Sequence, residues 1–291
     1  MNATGHDVTT VQLNNLGQPT LRHGPKSFHT DFGVFDDIFP LWAAVQHHCR
    51  SHATIELLLE NNADINQKTA TGETALHHAC RAMDFSMCMS EDVFNSICGR
   101  VLTPHIVEKL IERGSDVNCQ DSFGMTPLHH ACRTLNRNVA LILLKNGADI
   151  TIQDNQNRTP LEYAALEQFK TALFLLQKWN KIPRQARIEA YEIMALNYDC
   201  PDSYQYLLKA MRLRSKYRIR KIADPPLECY DNIMECETLT ELRQCQHNPD
   251  IIAINGILAR ERILKGKFFD IYKDIAQGGM TCFYNFFSHR V

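Results

Sequence analysis

The chain has 291 residues, of which 44% are hydrophobic and 22% charged, and its formal net charge is −2. This length and composition suit two domains with buried cores, and the net charge argues neither for nor against nucleic-acid binding. The 11 cysteines form no C-x-x-C pair, the N-terminus has no signal-peptide pattern, and no apolar run approaches the length of a membrane span. We therefore expect reduced thiols and a cytoplasmic chain, with the nucleus as a second compartment, and we exclude a membrane protein.

The first 30 residues are polar and show no apolar period, so we expect them to form a mobile N-terminal arm. A helical pattern begins after this arm. Residues 39–44 read Phe-Pro-Leu-Trp-Ala-Ala, and residues 62–66, Asn-Ala-Asp-Ile-Asn, close the first unit of the pattern.

A seven-residue motif recurs further along the chain. Residues 126–132 read Thr-Pro-Leu-His-His-Ala-Cys, and residues 74–80 have the same sequence with one change. Residues 159–161 repeat Thr-Pro-Leu, 33 residues after the copy that begins at Thr126. Proline suits the first position of a helix, and the histidine can hydrogen-bond across the turn that precedes it. The small Ala and Cys allow two helices to pack closely, and Gly147 is placed to end the second helix with a positive φ.

This pattern is similar to the ankyrin repeat, whose signature is T-P-L-H-x-A and whose period is 33 residues. We therefore predict an all-α fold, an ankyrin-repeat solenoid of about four repeats over residues 31–181, followed by a smaller helical segment. The second repeat exceeds the period by 19 residues, which we place between its helices at about residues 83–102. This Met-rich insertion either forms a small core folded onto the stack or presents an adaptable binding surface.

Residues 182–222 leave the repeat period and predict a helical linker, with one helix from Arg184 and another from Pro201. The second helix and its end carry a run of cations without an acid: Lys209, Arg212, Arg214, Lys216, Arg218, Arg220 and Lys221. We interpret the run as a solvated basic face, with an acidic protein partner as the alternative. We expect no nucleic acid, because Tyr217 is the one ring in the run on which a base could stack.

Residues 223–266 predict a pair of helices. A Thr-x-x-Glu capping box at 238–241 opens the first helix, and an Asn-Pro pair at 248–249 opens the second. Residues 267–291 form an aromatic-rich tail, to which we assign no fold.

No arrangement of residues indicates catalysis, and we expect no enzyme, no cofactor and no metal site. The two His-His-Ala-Cys runs, at 77–80 and 129–132, are explained by their place in the repeat motif. The spacings of Cys229, Cys236 and Cys245 match no common zinc site. The sequence also has no phosphate-binding loop and no nucleophile elbow.

Five segments carry a further likeness: Pro-Leu-Trp-Ala-Ala at 40–44, the segments 187–195, 237–242 and 248–250, and Arg-Glu-Arg-Ile-Leu at 260–264. Together they resemble the Fem (feminization) family of ankyrin-repeat substrate receptors of cullin-RING ubiquitin ligases. The likeness covers about residues 31–266, with fewer repeats before the linker and no visible Elongin-binding box, as in a divergent or truncated member.

The resemblance implies partners and a site. Family members hold the C-terminal peptide of a protein substrate, often one ending in Arg, and recruit Elongin B/C and a cullin. The implied peptide-binding residues are Asp31, Asp36, Asp37, Trp42 and Asp84. Asp31 matches a family pocket acid by its distance of eleven residues from Trp42, whereas Ala82 stands where the second acid belongs. Trp42 replaces the motif histidine, so its ring either packs at the open end of the stack or anchors a ligand in the groove.

Two functions are consistent with these observations. The first is the substrate-recognition subunit, a receptor for C-terminal degrons, of a cullin-RING ubiquitin ligase. The alternative is an ankyrin-repeat scaffold for protein interactions without ligase recruitment. Co-purification with Elongin and a cullin would separate them.

Overall fold

The computed structural model divides into two compact units, Met1–Asp154 and Asn155–Val291. The structure describes residues 11–13, 19–21, 28–30, 33–35, 40–46, 52–81, 102–134, 136–196, 203–225 and 232–264. The predicted insertion at about 83–102 lies outside the described residues up to residue 101, and so does the aromatic tail at 267–291.

Two short antiparallel strand pairs precede the helices of the first unit. Strand β1 (Val11–Leu13) pairs with β2 (Pro19–Leu21), and β3 (Phe28–Thr30) pairs with β4 (Gly33–Phe35). The sequence predicted an arm here and no strands, because three residues are too few to show the alternation that identifies a strand.

The described helices of the first unit form the pairs expected of repeats one to three. They are α1 (Pro40–Gln46), α2 (His52–Glu60), α3 (Ala75–Arg81), α4 (Leu102–Glu112), α5 (Pro127–Arg133) and α6 (Arg137–Lys145). Their apolar sides form the core, and Leu110 of α4 and Leu143 of α6 are completely buried. Each repeat buries its apolar side chains against its own second helix and the neighbouring repeat.

The second helix of each of these repeats ends in the same way. Asn62, Gly114 and Gly147 follow α2, α4 and α6 with positive φ values of 59°, 96° and 92°. In each case the amide of the next residue donates to the carbonyl five residues earlier, with a nitrogen-to-oxygen distance of 3.0 Å. This is the pattern of a helix end closed by a left-handed residue, and it confirms the role predicted for Gly147.

Asparagine side chains join successive repeats. Asn66 donates to the Gly114 carbonyl at 3.2 Å and accepts from the Asp116 amide at 2.9 Å. Asn118 makes the same two bonds in the next repeat, to the Gly147 carbonyl at 3.1 Å and from the Asp149 amide at 2.8 Å. The side-chain amide satisfies backbone groups that no helix can pair, so the loops of repeats one to three are held in a fixed register.

The second unit contains repeat four and the predicted helices that follow it. Its described helices are α7 (Pro160–Glu167), α8 (Phe169–Lys178), α9 (Arg184–Met194), α10 (Ser203–Tyr217), α11 (Leu239–Gln244) and α12 (Pro249–Leu264). Thr238 accepts from the Glu241 amide at 3.2 Å, as the capping box predicted. Asn248 accepts from the amides of Asp250 and Ile251 at 3.1 and 3.2 Å and so caps α12.

A buried ion cluster ties the elements of this unit together. The Glu192 carboxylate of α9 accepts from Arg214 of α10 at 2.7 and 3.0 Å and from Arg262 of α12 at 2.8 Å. Arg262 also reaches Glu235 at 2.8 Å, and Lys221 pairs with Glu235 at 2.7 Å. We refer to these five residues as the ion cluster.

The ion cluster corrects one interpretation of the cationic run. Arg214 and Lys221 are buried, with 5% and 6% of their surface exposed, so they are not part of a solvated face. A buried charge is costly unless it is paired, and carboxylates distant in the sequence provide the pairing. The other five cations of the run are exposed, as expected.

Candidate protein-binding surface

The motif histidines brace the turns before α3 and α5. The Nδ1 atom of His77 accepts from the Thr74 amide at 3.1 Å and lies 2.9 Å from the Thr74 hydroxyl. His129 repeats this arrangement with Thr126, at 3.0 and 2.9 Å. These contacts confirm the hydrogen bond predicted across the turn.

His77 also connects repeat two to repeat three. Because its Nδ1 accepts from an amide, the ring proton is on Nε2, which donates to the Met125 carbonyl at 3.2 Å. Burial, and then the charge of His130, lower the pKa of His77 to about 4, although Asp121 and backbone carbonyls act in the opposite direction. His77 is therefore neutral at pH 7, which its pattern of one donated and one accepted bond requires.

The second histidine of the repeat-two motif lies in a chain of side-chain contacts. The ring centroids of His78 and Trp42 are 4.7 Å apart, with the planes tilted by 43°. Arg81 donates to Nδ1 of His78 at 3.3 Å and to the Glu73 carboxylate at 2.7 Å. Glu73 is buried, whereas 48% of the Arg81 side chain is exposed, so this chain of contacts leads from the core to solvent.

The second histidine of the repeat-three motif pairs with an acid. Nε2 of His130 lies 3.0 Å from one oxygen of the buried Asp121 carboxylate. The other oxygen accepts from the amides of Phe123 and Met125 at 2.9 and 2.8 Å. Burial acts to raise the pKa of Asp121, but the hydrogen bonds from His130 and the two amides outweigh it, and the pKa lies below its usual value.

Three of these side chains, Glu73, Asp121 and His130, lie close enough together for their ligand atoms to surround a cation, with all separations within 4.8 Å. Each of them already has a protein partner. Glu73 pairs with Arg81, and Asp121 pairs with His130. The Arg81 guanidinium beside the Glu73 carboxylate would repel a metal cation. The hydrogen bonds among these side chains account for their close approach, so we interpret the cluster as a set of packed and charge-paired residues.

Phe123 is the most exposed aromatic feature of this region. It lies in the turn before α5, with 63% of its surface exposed. Its backbone is fixed, since its amide donates to Asp121 and the amide of Gly124 donates to the Asp121 carbonyl at 3.0 Å. Ser122 next to it donates to the Thr71 carbonyl of repeat two at 2.9 Å. The turn therefore presents an aromatic ring to solvent on a fixed backbone.

Of the predicted peptide-binding residues, the structure describes Trp42. Its indole is 8% exposed and packs against His78, and its Nε1 atom has no hydrogen-bond partner among the described residues. This buried position fits the packing alternative. Asp31, Asp36, Asp37 and Asp84 lie outside the described residues.

The residues that build this surface carry no clear signal in the sequence. Glu73, Asp121 and Phe123 belong to loops, in which residue type gives little indication of a partner. The doubled histidine was the available signal, because the second histidine occupies a position that the repeat motif leaves variable.

Family models agree with this architecture. A model described as "Ankyrin repeats (3 copies)" matches residues 98–186, and one described as "Ankyrin repeat" matches residues 36–70 and 71–122. Together they cover residues 36–186, just over half of the chain. The chain belongs to the ankyrin-repeat proteins.

The family matches also agree with the predicted insertion in the second repeat and indicate the kind of partner. The second single-repeat match runs from 71 to 122 and is 19 residues longer than the 33-residue period, as the predicted insertion requires. Ankyrin repeats are a protein–protein interaction module, so protein partners are indicated. None of the described helices combines the length and apolar character needed to cross a membrane.

Proposed function

We propose that this chain is a protein-binding adaptor that captures a segment of a substrate protein on its ankyrin repeats and serves as the substrate-recognition subunit of a cullin-RING ubiquitin ligase. The observation that carries the binding role is Phe123, an exposed aromatic ring on a turn fixed by Asp121. Exposed aromatic side chains on rigid supports are frequent centres of binding energy in interfaces.

The ligase role is supported by the likeness to the Fem family. In that role the bound segment is a C-terminal peptide of the substrate. When the peptide ends in Arg, its guanidinium needs a carboxylate of this chain that is not already paired. The buried acids of repeats two and three, Glu73 and Asp121, are already paired with Arg81 and His130. The cationic end of the peptide therefore depends on Asp31, Asp36, Asp37 and Asp84, and Trp42 is the aromatic residue of the proposed site.

A peptide titration tests the capture step. We expect a fluorescent peptide ending in Arg to bind the full chain weakly, in the range of roughly tens of micromolar, because one acid of the implied pair is replaced by Ala82. Asp31→Asn should abolish this binding, and Phe123→Ala should weaken it about tenfold or more. Asp250→Asn, at an exposed position of α12, is the matched control for loss of one negative charge. Equal binding by the wild type and Asp31→Asn would remove Asp31 from the site.

A specific observation favours the second candidate, an interaction scaffold without ligase recruitment. One of the five family-like segments, 260–264, has a packing role in this chain, since Arg262 joins the ion cluster and Leu264 is buried. Co-expression with Elongin B/C and a cullin separates the candidates. A stable complex on size exclusion supports the receptor, whereas peptide binding without such a complex supports the scaffold.

A further inference from the structure

The described part of the second unit carries a basic surface on and after α10. Five cations on α10 and directly after it are exposed: Lys209, Arg212, Lys216, Arg218 and Arg220. We call these residues the α10 basic face. Helix α10 contains no Asp or Glu. Within the described part of this unit, the ion pairs join other residues, and none of these five cations has a carboxylate within ion-pair distance.

The geometry of the α10 basic face is regular. Lys209, Arg212 and Lys216 follow one another at three- and four-residue spacing, so they form one stripe about 10 Å long. The Lys209 ammonium lies 4.7 Å from the centroid of the Tyr191 ring, and that of Lys216 lies 5.6 Å from the Tyr217 ring. The rings position these ammonium groups without neutralising their charge.

The ion pairs among the described residues do not account for this concentration of charge. Seven cations lie between residues 209 and 221. Two of them, Arg214 and Lys221, pair with the buried carboxylates of Glu192 and Glu235. The other five cations are exposed and repel one another. Together they produce a positive electrostatic potential, which attracts a negatively charged partner.

We propose that the α10 basic face docks an acidic segment of a partner protein, a segment with several carboxylates and at least one apolar side chain. The apolar requirement comes from Ile222, which is 78% exposed two residues after Arg220. A nucleic acid fits less well, because the Tyr217 ring on which a base would stack is already approached by the guanidinium of Arg184 at 4.8 Å and by Lys216. Complementary charge also sets the speed and selectivity of such docking.

The probe is a short fluorescein-labelled peptide of glutamates with one leucine, titrated against the full chain at low and at physiological salt. We expect binding that weakens as salt rises. The triple variant Lys209→Gln/Arg212→Gln/Lys216→Gln should bind about tenfold more weakly, because three exposed charge pairs are lost together. A matched peptide with glutamine in place of glutamate should not bind.

The control is a second triple variant with the same loss of charge at exposed cations elsewhere: Arg113→Gln/Lys145→Gln/Arg243→Gln. It should bind the acidic peptide like the wild type. Equal weakening by both triple variants would show attraction to net charge alone and would overturn the proposal. Tighter binding of a single-stranded oligonucleotide or of anionic lipid vesicles, with the same dependence on Lys209, Arg212 and Lys216, would assign the face to that partner and overturn it as well.

Discussion

Replacing Glu192 by glutamine tests whether the ion cluster holds the second unit together. Glu192 is 1% exposed and accepts three hydrogen bonds, two from Arg214 and one from Arg262. Burial acts to raise its pKa, but the hydrogen bond from Arg214 and the charges of Lys221, Arg262 and Arg214 outweigh it and lower the pKa below its usual value. The carboxylate is therefore ionised at pH 7.

The magnitude follows from what remains after the substitution. Arg262 keeps Glu235, but Arg214 is left buried with a 3.5 Å contact to the Arg220 carbonyl. Removing one partner of a buried pair costs about 3–5 kcal/mol of unfolding free energy, since the other charge stays desolvated. With a urea slope of about 2 kcal/mol per molar, the midpoint should fall by about 2 M.

The assay is urea unfolding followed by tryptophan fluorescence. The chain has two tryptophans, so a Trp42→Phe background leaves Trp179 as a reporter within the second unit. Glu189→Gln, at a half-buried position three residues earlier on α9, is the matched control and should shift the midpoint little. Adding Arg214→Met to Glu192→Gln should recover part of the loss, because the unpaired charge is removed. A loss below about 1 kcal/mol, or one equal to that of Glu189→Gln, would refute the role of the cluster.

Three further predictions concern the first unit. Leu143→Ala should cost about 2–5 kcal/mol because Leu143 is completely buried, whereas Leu57→Ala, at a side chain that is 58% exposed, should cost far less in the same denaturant melts. His77 has a folded pKa of about 4 against 6.5 when unfolded, so the unfolded chain binds more protons between these values. Stability should therefore fall by about 3 kcal/mol as the pH drops through that window, and melts of His77→Gln should show a smaller pH dependence. Gly72→Ala places a Cβ 2.9 Å from a backbone nitrogen of repeat three, whereas a Cβ at Gly114 meets nothing within 4 Å. Both positions have a positive φ, so Gly72→Ala should lower the melting temperature more than Gly114→Ala, and equal shifts would contradict the contact.

The sequence predicted the repeats because their determinants are local. A Thr-Pro step, a histidine three residues after the Thr and a glycine after the second helix act within one turn or one helix end. The predicted starts of α9, α11 and α12 agree with the structure to within a residue or so, because a proline or a capping residue marks each of them. The short strands at 11–35 were not predicted, since three residues carry too little pattern.

What the sequence alone determined, then, is the ankyrin class and the positions of its helices. The tertiary structure decided which of the charged side chains are buried in ion pairs and which are exposed. Arg212 and Arg214 are two residues apart on α10, yet one is exposed and the other is buried against Glu192. The partners of the ion cluster lie up to 70 residues apart, and no local pattern encodes which cation will face which acid. A buried charge is costly when it is unpaired and tolerable when it is paired. The packing of α9, α10 and α12 therefore determines which cations belong to the ion cluster and which belong to the exposed α10 basic face.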